Sequence, residues 1–272
     1  MKIEWGRKSN SETAAVIPTA DIKQARVQVL IKELAAAGVD SILVEDRLPE
    51  FRFSRSMNAG INELLKLENL RYIILSNDDI CNIKGIRDMI ARISEDENSY
   101  AQPYPNGKKP TFVVTRSRLR FVLNYALARR APFHALRVMN GFHWLRKRRS
   151  FMMGAPAVLW DRDNIVGVQP FGIFNKSMLR NNKFDENFIN GVEDDELGYR
   201  LKLAGARGIT MPEWSVVHEA NSSFKLATNG EKNQIGSYYI TDEEMIRSAE
   251  YFYRKYFSGT SRSSPSTRGG TM

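Results

Sequence analysis

Tyr72-Ile73-Ile74-Leu75-Ser76-Asn77-Asp78-Asp79 sets an apolar run directly against a polar tetrad that ends in two carboxylates. A short apolar run of this kind predicts a buried strand, and in a parallel sheet the residues just beyond it face the ligand crevice. Successive residues of extended chain point to opposite sides, so one carboxylate can hold a divalent cation while its neighbour reaches a sugar hydroxyl. Oxygen ligands of this type suit Mg²⁺ or Mn²⁺, which in turn grip a diphosphate. The same residues also fit a turn that caps a helix starting near Ile83.

Working outward, the first hundred residues alternate in character. Residues 13–18 are a short apolar run ending at Pro18; 22–37 have helical spacing and close on Gly38; 41–45 read as a second strand. Residues 53–67 read as a loop entering a helix, 72–75 as a third strand and 83–93 as another helix. Strand–helix alternation predicts right-handed crossovers and a doubly wound, mainly parallel α/β sheet flanked by helices. Residues 100–108 read as a loop from their prolines and glycine. Beyond them, 111–115 reads as a strand, and 119–130 and 135–149 as basic, partly amphipathic helices. Short strands are expected at 157–160, 165–168 and 215–218, and helices at 194–204 and 241–256. The tail 258–272, rich in Ser, Thr, Gly and Arg, is expected to be disordered.

The chain has 272 residues, 42% hydrophobic and 26% charged, which excludes wholesale disorder. No apolar run approaches the roughly 18 residues of a membrane-spanning helix, and Glu4 interrupts what would be a leader's apolar core. The single cysteine, Cys81, excludes an internal disulfide or thiolate cluster and reads as a small core residue. A cytoplasmic protein is the expectation. The net charge of +9 is uneven: of 40 Lys and Arg residues, 12 lie between Asn98 and Trp160, where Asp and Glu are absent, leaving 28 against 31 acidic residues elsewhere. A nearly neutral protein thus carries a basic insert fit to draw a polyanion, an anionic membrane surface or a phosphorylated substrate.

Other residues could carry chemistry. Asp194, Leu197, Leu201 and Ala204 follow a 3-4-3 spacing, which puts Asp194 at the head of a helix's buried stripe, where the macrodipole favours an ionised general base. Dipole compensation explains the same acids, and for Asp195 and Glu196 it is preferred, with Glu196 and Arg200 paired one turn apart. His218 ends an apolar strand and alone reads as a structural hydrogen-bonding residue; His134 and His143 read as packing or surface residues. Arg55 and Asn58 lie at the mouth of a helix, where an anion or a base could be held, or where they simply cap it. The glycine fingerprints of dinucleotide and P-loop sites are absent from the chain.

Taken in order, Val16-Ile17-Pro18-Thr19, Ile42-Leu43-Val44-Glu45-Asp46, Arg55-x-x-Asn58-x-Gly60, Asn77-Asp78-Asp79, Phe184-Asp185-Glu186…Gly191-Val192-Glu193-Asp194, Arg200-Leu201…Ala204-Gly205 and Pro212…Val217-His218 resemble the family 2 glycosyltransferases with a GT-A fold. The likeness runs from about Ala15 to about Ser223. It implies one GT-A domain over 1–257, with a nucleotide-sugar half at 13–97, the basic insert at 98–160 and an acceptor and catalytic half at 161–257. Thr19, Glu45 or Asp46, Arg55, Asn58 and Asp78 match donor-contacting positions, Asp79 and His218 the metal ligands, and Asp194 the base. The implied activity is metal-dependent, inverting, hexosyltransferase-like transfer from a nucleotide-diphosphate sugar to a hydroxyl of a glycan or glycoconjugate, with Mn²⁺ or Mg²⁺ as cofactor. Two departures stand out: the small polar residues usual after the second strand's aspartate are missing, and Asn77 sits where an acid would strengthen the metal site.

The basic insert, at 108–149 interleaved with aromatics such as Phe121, Tyr125 and Trp144, leaves the acceptor open. Peripheral contact with an anionic membrane bearing a glycan is one expectation. The alternative is a DNA glycosyltransferase acting on a hydroxylated base that must leave the stack. A non-catalytic nucleic-acid-binding protein, its acids mere caps, is the reading from another class.

Overall fold

The computed structural model describes residues 1–46, 51–115, 162–168, 170–188, 192–219, 247–248, 251–252 and 254–256. The expected strands at 157–160, the basic helices beyond residue 115 and the tail lie outside these residues, as do His134 and His143.

The strands the sequence marks as apolar runs are buried on both faces. In β2 (Thr13–Thr19) every residue is buried, with Ala14 and Val16 facing one core and Ala15 and Ile17 the other. That period of two is the reason the run shows no polar alternation: there is no wet face to need it. α1 (Ala25–Ala36) covers one side through Val27, Leu30 and Leu34, joined there by α3 (Ile86–Ser94). α2 (Phe53–Leu65), α4 (Lys176–Asn181) and α5 (Glu193–Leu203) cover the other through Met57, Ile61, Leu179, Leu197 and Leu201. Gly60 lets α2 settle on the sheet, since a Cβ there would run into Val16 Cγ1.

Among the described residues the main sheet has eight strands: β1 (Lys2–Arg7), β3 (Asp40–Glu45), β2, β4 (Tyr72–Ser76), β9 (Phe171–Asn175), β6 (Ser99–Pro105), β10 (Arg207–His218) and β5 (Ile80–Lys84), in that order. β7 (Thr111–Thr115) and β8 (Arg162–Val166) form a separate antiparallel pair. The sheet is mixed rather than mainly parallel. β3, β2 and β4 are parallel, as are β6 and β10, but the other four pairings are antiparallel. The block β3, β2 and β4 is joined by the crossover helices α1 and α2, whereas β4 passes to β5 through a three-residue turn and β9 inserts between β4 and β6 antiparallel to both, so parallel pairing does not extend across the sheet.

Three expectations change for local reasons. Residues 80–84 form β5, so the helix begins only at Ile86, after Gly85 at φ 87°. The turn at 77–79 therefore leads into a strand and does not cap α3. Residues 99–105 are a strand in spite of Pro103 and Pro105; β9 pairs with β6 only at Tyr100 and Ala101, so beyond them a missing N–H costs no ladder bond on that flank. β10 begins eight residues earlier than the expected 215, and its register shifts between Thr210 and Ser215. In α5 the buried stripe ends at Leu201, and Ala204 is exposed.

Ser76 and Ile80 are four residue steps apart, at most about 14 Å of chain. Yet β9, β6 and β10 lie between β4 and β5, which in a flat sheet would need about 19 Å. The sheet therefore curls, so that β5 returns toward the end of β4.

Candidate functional site

β2, β3, β4, β6 and β10 all run in one sense, so their carboxyl ends share one edge. Thr19 ends β2, Glu45 ends β3, the Asn77-Asp78-Asp79 turn leaves β4 and His218 ends β10. Thr19 ties three of these together. Its carbonyl accepts from the Asp46 N–H at 3.1 Å, and its hydroxyl donates to Asp78 Oδ2 at 2.8 Å.

Asp78 has a second partner, Arg26, whose Nη2 donates to the same Oδ2 at 3.1 Å, with side-chain exposures of 21% and 17% for arginine and aspartate. Burial pushes the Asp78 carboxyl above the usual carboxylate range; Arg26 opposes that shift and the charge of Asp79 adds to it. Arg26 is a site residue that the sequence reading missed. A signal was available: it is the second residue of α1, in a first turn that holds no acidic residue. A cation there opposes the helix macrodipole unless a carboxylate from elsewhere meets it.

Asp79 pairs with His218, Nε2 lying 3.1 Å from Oδ1, both side chains 13% exposed. Burial would raise the Asp79 carboxyl, but the hydrogen bond and charge of His218, with Arg26 behind them, hold it below the usual range. The backbone fixes the pair. Glu219 N–H donates to the Asp79 carbonyl at 3.0 Å, and Asn106 brackets His218, its Nδ2 donating to the carbonyl at 2.8 Å and its Oδ1 accepting the N–H at 3.0 Å.

Asp46 is 3% exposed and receives the first turn of α2 on one oxygen: Arg55 Nη2 at 2.8 Å, Ser56 Oγ at 3.0 Å and the Arg52 N–H at 3.4 Å all donate to Oδ2. Glu45, 8% exposed, lies beside Thr19 in the ladder. Asn58 faces inward: its Nδ2 donates to the Phe184 carbonyl at 2.9 Å and to Glu186 Oε1 at 2.8 Å, and its Oδ1 accepts the Phe184 N–H at 2.9 Å. Both amide hydrogens are thus spent on joining α2 to the 184–186 stretch.

Asp194 is 5% exposed in the first turn of α5. α5 feeds β10 through Gly205, and Arg207 pairs with Ser99 at the amino end of β6. From its first turn to that end α5 spans 11 residues, about 16 Å. Val192 leads into it at φ 72°, a strained conformation for a β-branched residue. The Asp195 N–H donates to Asp194 Oδ1 at 2.8 Å.

Behind Asp194, Glu196 is fully buried and accepts from Arg200 Nε at 3.1 Å, the expected one-turn pair, and from Lys255 Nζ at 2.8 Å. Lys255 also donates to Asp185 Oδ2 at 2.8 Å, and the Tyr251 hydroxyl to the same oxygen at 3.0 Å. Phe188, Val192, Tyr199 and Phe252 close an apolar cluster over these charges. Beyond the Glu196–Arg200 pair, sequence reasoning missed this network.

Asp79 and His218 supply one oxygen and one nitrogen donor, a set that suits Mn²⁺ or Mg²⁺ completed by phosphate oxygens and water. Among the described residues no three His, Cys, Asp or Glu side chains are grouped to hold a metal by themselves. No described helix is long and apolar enough to cross a membrane.

No protein-family model matches the chain, and no curated protein matches it. Among solved structures it is similar to A197 from STIV, at 11% identity and a TM-score of 0.43 over 76% of this chain and 84% of that one. It is also similar to a Drosophila beta-1,4-galactosyltransferase 7 mutant in complex with manganese, UDP-Gal and xylobiose, at 12% identity and a TM-score of 0.41 over 86% and 79% of the two chains. Neither likeness bears on what this chain binds; that rests on the sheet edge.

Proposed function

We propose that this chain is a GT-A-type, metal-dependent, inverting glycosyltransferase that moves a sugar from a nucleotide-diphosphate donor to a hydroxyl of a glycan or glycoconjugate. One observation carries the reading: four strand ends meet at the carboxyl edge, where Thr19 is hydrogen-bonded to Asp78 and to the Asp46 N–H, and Asp79, next in the chain, is ion-paired with His218. Structural caps need no such convergence, and the turn at 77–79 caps no helix.

In this reading Asp79 and His218 would hold the Mn²⁺ or Mg²⁺ ion, whose charge offsets that gathering on the leaving diphosphate. Thr19 and Asp78 orient the ribose or sugar hydroxyls. Glu45, Asp46 and the half-exposed Arg55 flank the base, and Asn58 supports them from behind by holding the 184–186 stretch against α2. Asp194 accepts the acceptor's hydroxyl proton while the acceptor oxygen bonds to the anomeric carbon and the bond to the diphosphate breaks. A single displacement inverts that carbon and needs no enzyme nucleophile.

The test is a thermal-shift screen of UDP-, GDP- and dTDP-sugars with and without Mn²⁺ or Mg²⁺. A ligand that binds the native state raises its melting temperature, and at a concentration 100 times its Kd the stabilisation is about 2.7 kcal/mol. A metal-dependent rise with at least one donor is expected. A flat response across every pair would overturn the proposal.

A further inference from the structure

Val192 opens α5 against two local rules. It is the cap residue, at φ 72° and ψ −12°, where the Cβ of a β-branched residue crowds the following carbonyl oxygen, and it has no side-chain oxygen to bond a free helix amide. A cap residue ordinarily has extended backbone and such an oxygen. Its carbonyl nevertheless starts the helix, accepting the Glu196 N–H at 2.8 Å. The left-handed turn at Val192 thus sets the direction in which the first helical residues leave, and Asp194 is the second of them. What offsets the strain is packing. The Val192 side chain is buried with Ile165 of β8, Phe188, Tyr199 of α5 and Phe252, so four separate segments meet on it.

From this we infer that Val192 is a positioning residue for Asp194. The cluster grips the isopropyl group, the grip holds residue 192 in the left-handed region, and that conformation fixes how the carboxylate two residues later is presented. Strain of this kind persists only where the surroundings over-determine it, and it collects where geometry matters to chemistry. The inference rests on the glycosyltransferase reading, in which Asp194 is the base. Its first readout needs no substrate: the Asp195 N–H donates to Asp194 Oδ1 at 2.8 Å, so exchange of that amide hydrogen reports how the carboxylate is held.

The experiment uses two substitutions in the full-length chain that pull stability and geometry apart. Val192→Thr keeps the branched shape, and so the grip, but buries a hydroxyl among apolar side chains. Val192→Gly removes the grip and also the strain, because glycine takes either sign of φ. Melting temperature, hydrogen exchange at the Asp195 amide and release of nucleoside diphosphate from UDP-, GDP- and dTDP-sugars with Mn²⁺ are compared with wild type. Val192→Thr is expected to melt at least about 2 °C lower, with exchange and kcat within about twofold. Val192→Gly should melt no lower than Val192→Thr. Its Asp195 amide should exchange about tenfold faster, and kcat should fall at least about tenfold while donor KM stays within about twofold. A residue that only held the fold would move exchange and kcat in step with melting temperature. If Val192→Gly fails to fold, Val192→Asn replaces it, since asparagine accepts the left-handed region without the branched grip. Unchanged exchange in the glycine or asparagine variant, or an equal rise in Val192→Thr, overturns this inference alone. Faster exchange with unaltered turnover overturns the assignment of Asp194 as the base, and the inference with it. A wild type that neither binds nor turns over any of these donors overturns the glycosyltransferase reading and the inference together.

Discussion

The strand-end cluster and the surroundings of α5 are built by different means. At the strand ends, short side chains meet: Thr19, Asp46 and Asp78 lie where parallel neighbours β2, β3 and β4 stop. On the side of α5, long side chains do the work, and they come from far away. Lys255 reaches Asp185 across 70 residues of sequence and Glu196 across 59. The first arrangement is inherited from the sheet, so it needs few specialised contacts. The second depends on Tyr251, Phe252 and Lys255 being docked against Asp185 and α5.

Replacing Asp194 by Asn should separate the two sides most sharply. Nucleotide affinity by calorimetry should be unchanged while transfer falls roughly 10²–10⁴-fold, the usual contribution of a positioned base. Normal turnover in that variant would remove the assignment. Asp79→Ala should do the reverse and act on the donor side, costing about 30-fold in metal-dependent nucleotide affinity, as expected for one charged contact. Unchanged affinity with metal present would count against it.

Phe252→Ala attacks the docking itself. Phe252 is 2% exposed in the cluster with Tyr199, and its loss should lower stability by roughly 3 kcal/mol, read from chemical denaturation. Transfer should fall more than nucleotide affinity; an equal fall in both would mean that the two sides are not separable. The smallest effect is one of pH. Burial alone would raise the Asp185 carboxyl, but donors from Lys255, Asn187 and Tyr251 outweigh it and bring it to about 2, below its ordinary value of 3.8. A depressed folded value stabilises the protein above pH 4 and ceases to do so as pH falls toward 2. The melting temperature of wild type should therefore drop more steeply across that window than that of Asp185→Asn.

How much of this could be read from the sequence follows the same division. The strands at 13–19, 40–45 and 72–76 announce themselves because burial on both faces leaves apolar runs, and the expected strand at 111–115 is also present. β1, β5, β6 and β9 escape the reading. β5 alternates buried and open positions over only five residues, and its Ile83 and Ile86 fall at a spacing that mimics a helix. At the site, the proximity of Thr19 to Asp78 and of Asp79 to His218 is implied by ordered motifs, but the Arg26 contact is not, because nothing in the linear order says that residue 26 faces residue 78. The place of Asn58 at a helix mouth leaves a ligand contact and a cap both open, and its amide in fact turns inward to the 184–186 stretch packed against α2.

The three residues at 77–79 carry the two carboxylates and are also the stitch that draws β5 back over a curled sheet. An insertion or deletion there should shift the hem of the sheet as well as the acids, whereas exchanging side chains at constant length should leave the seam in place.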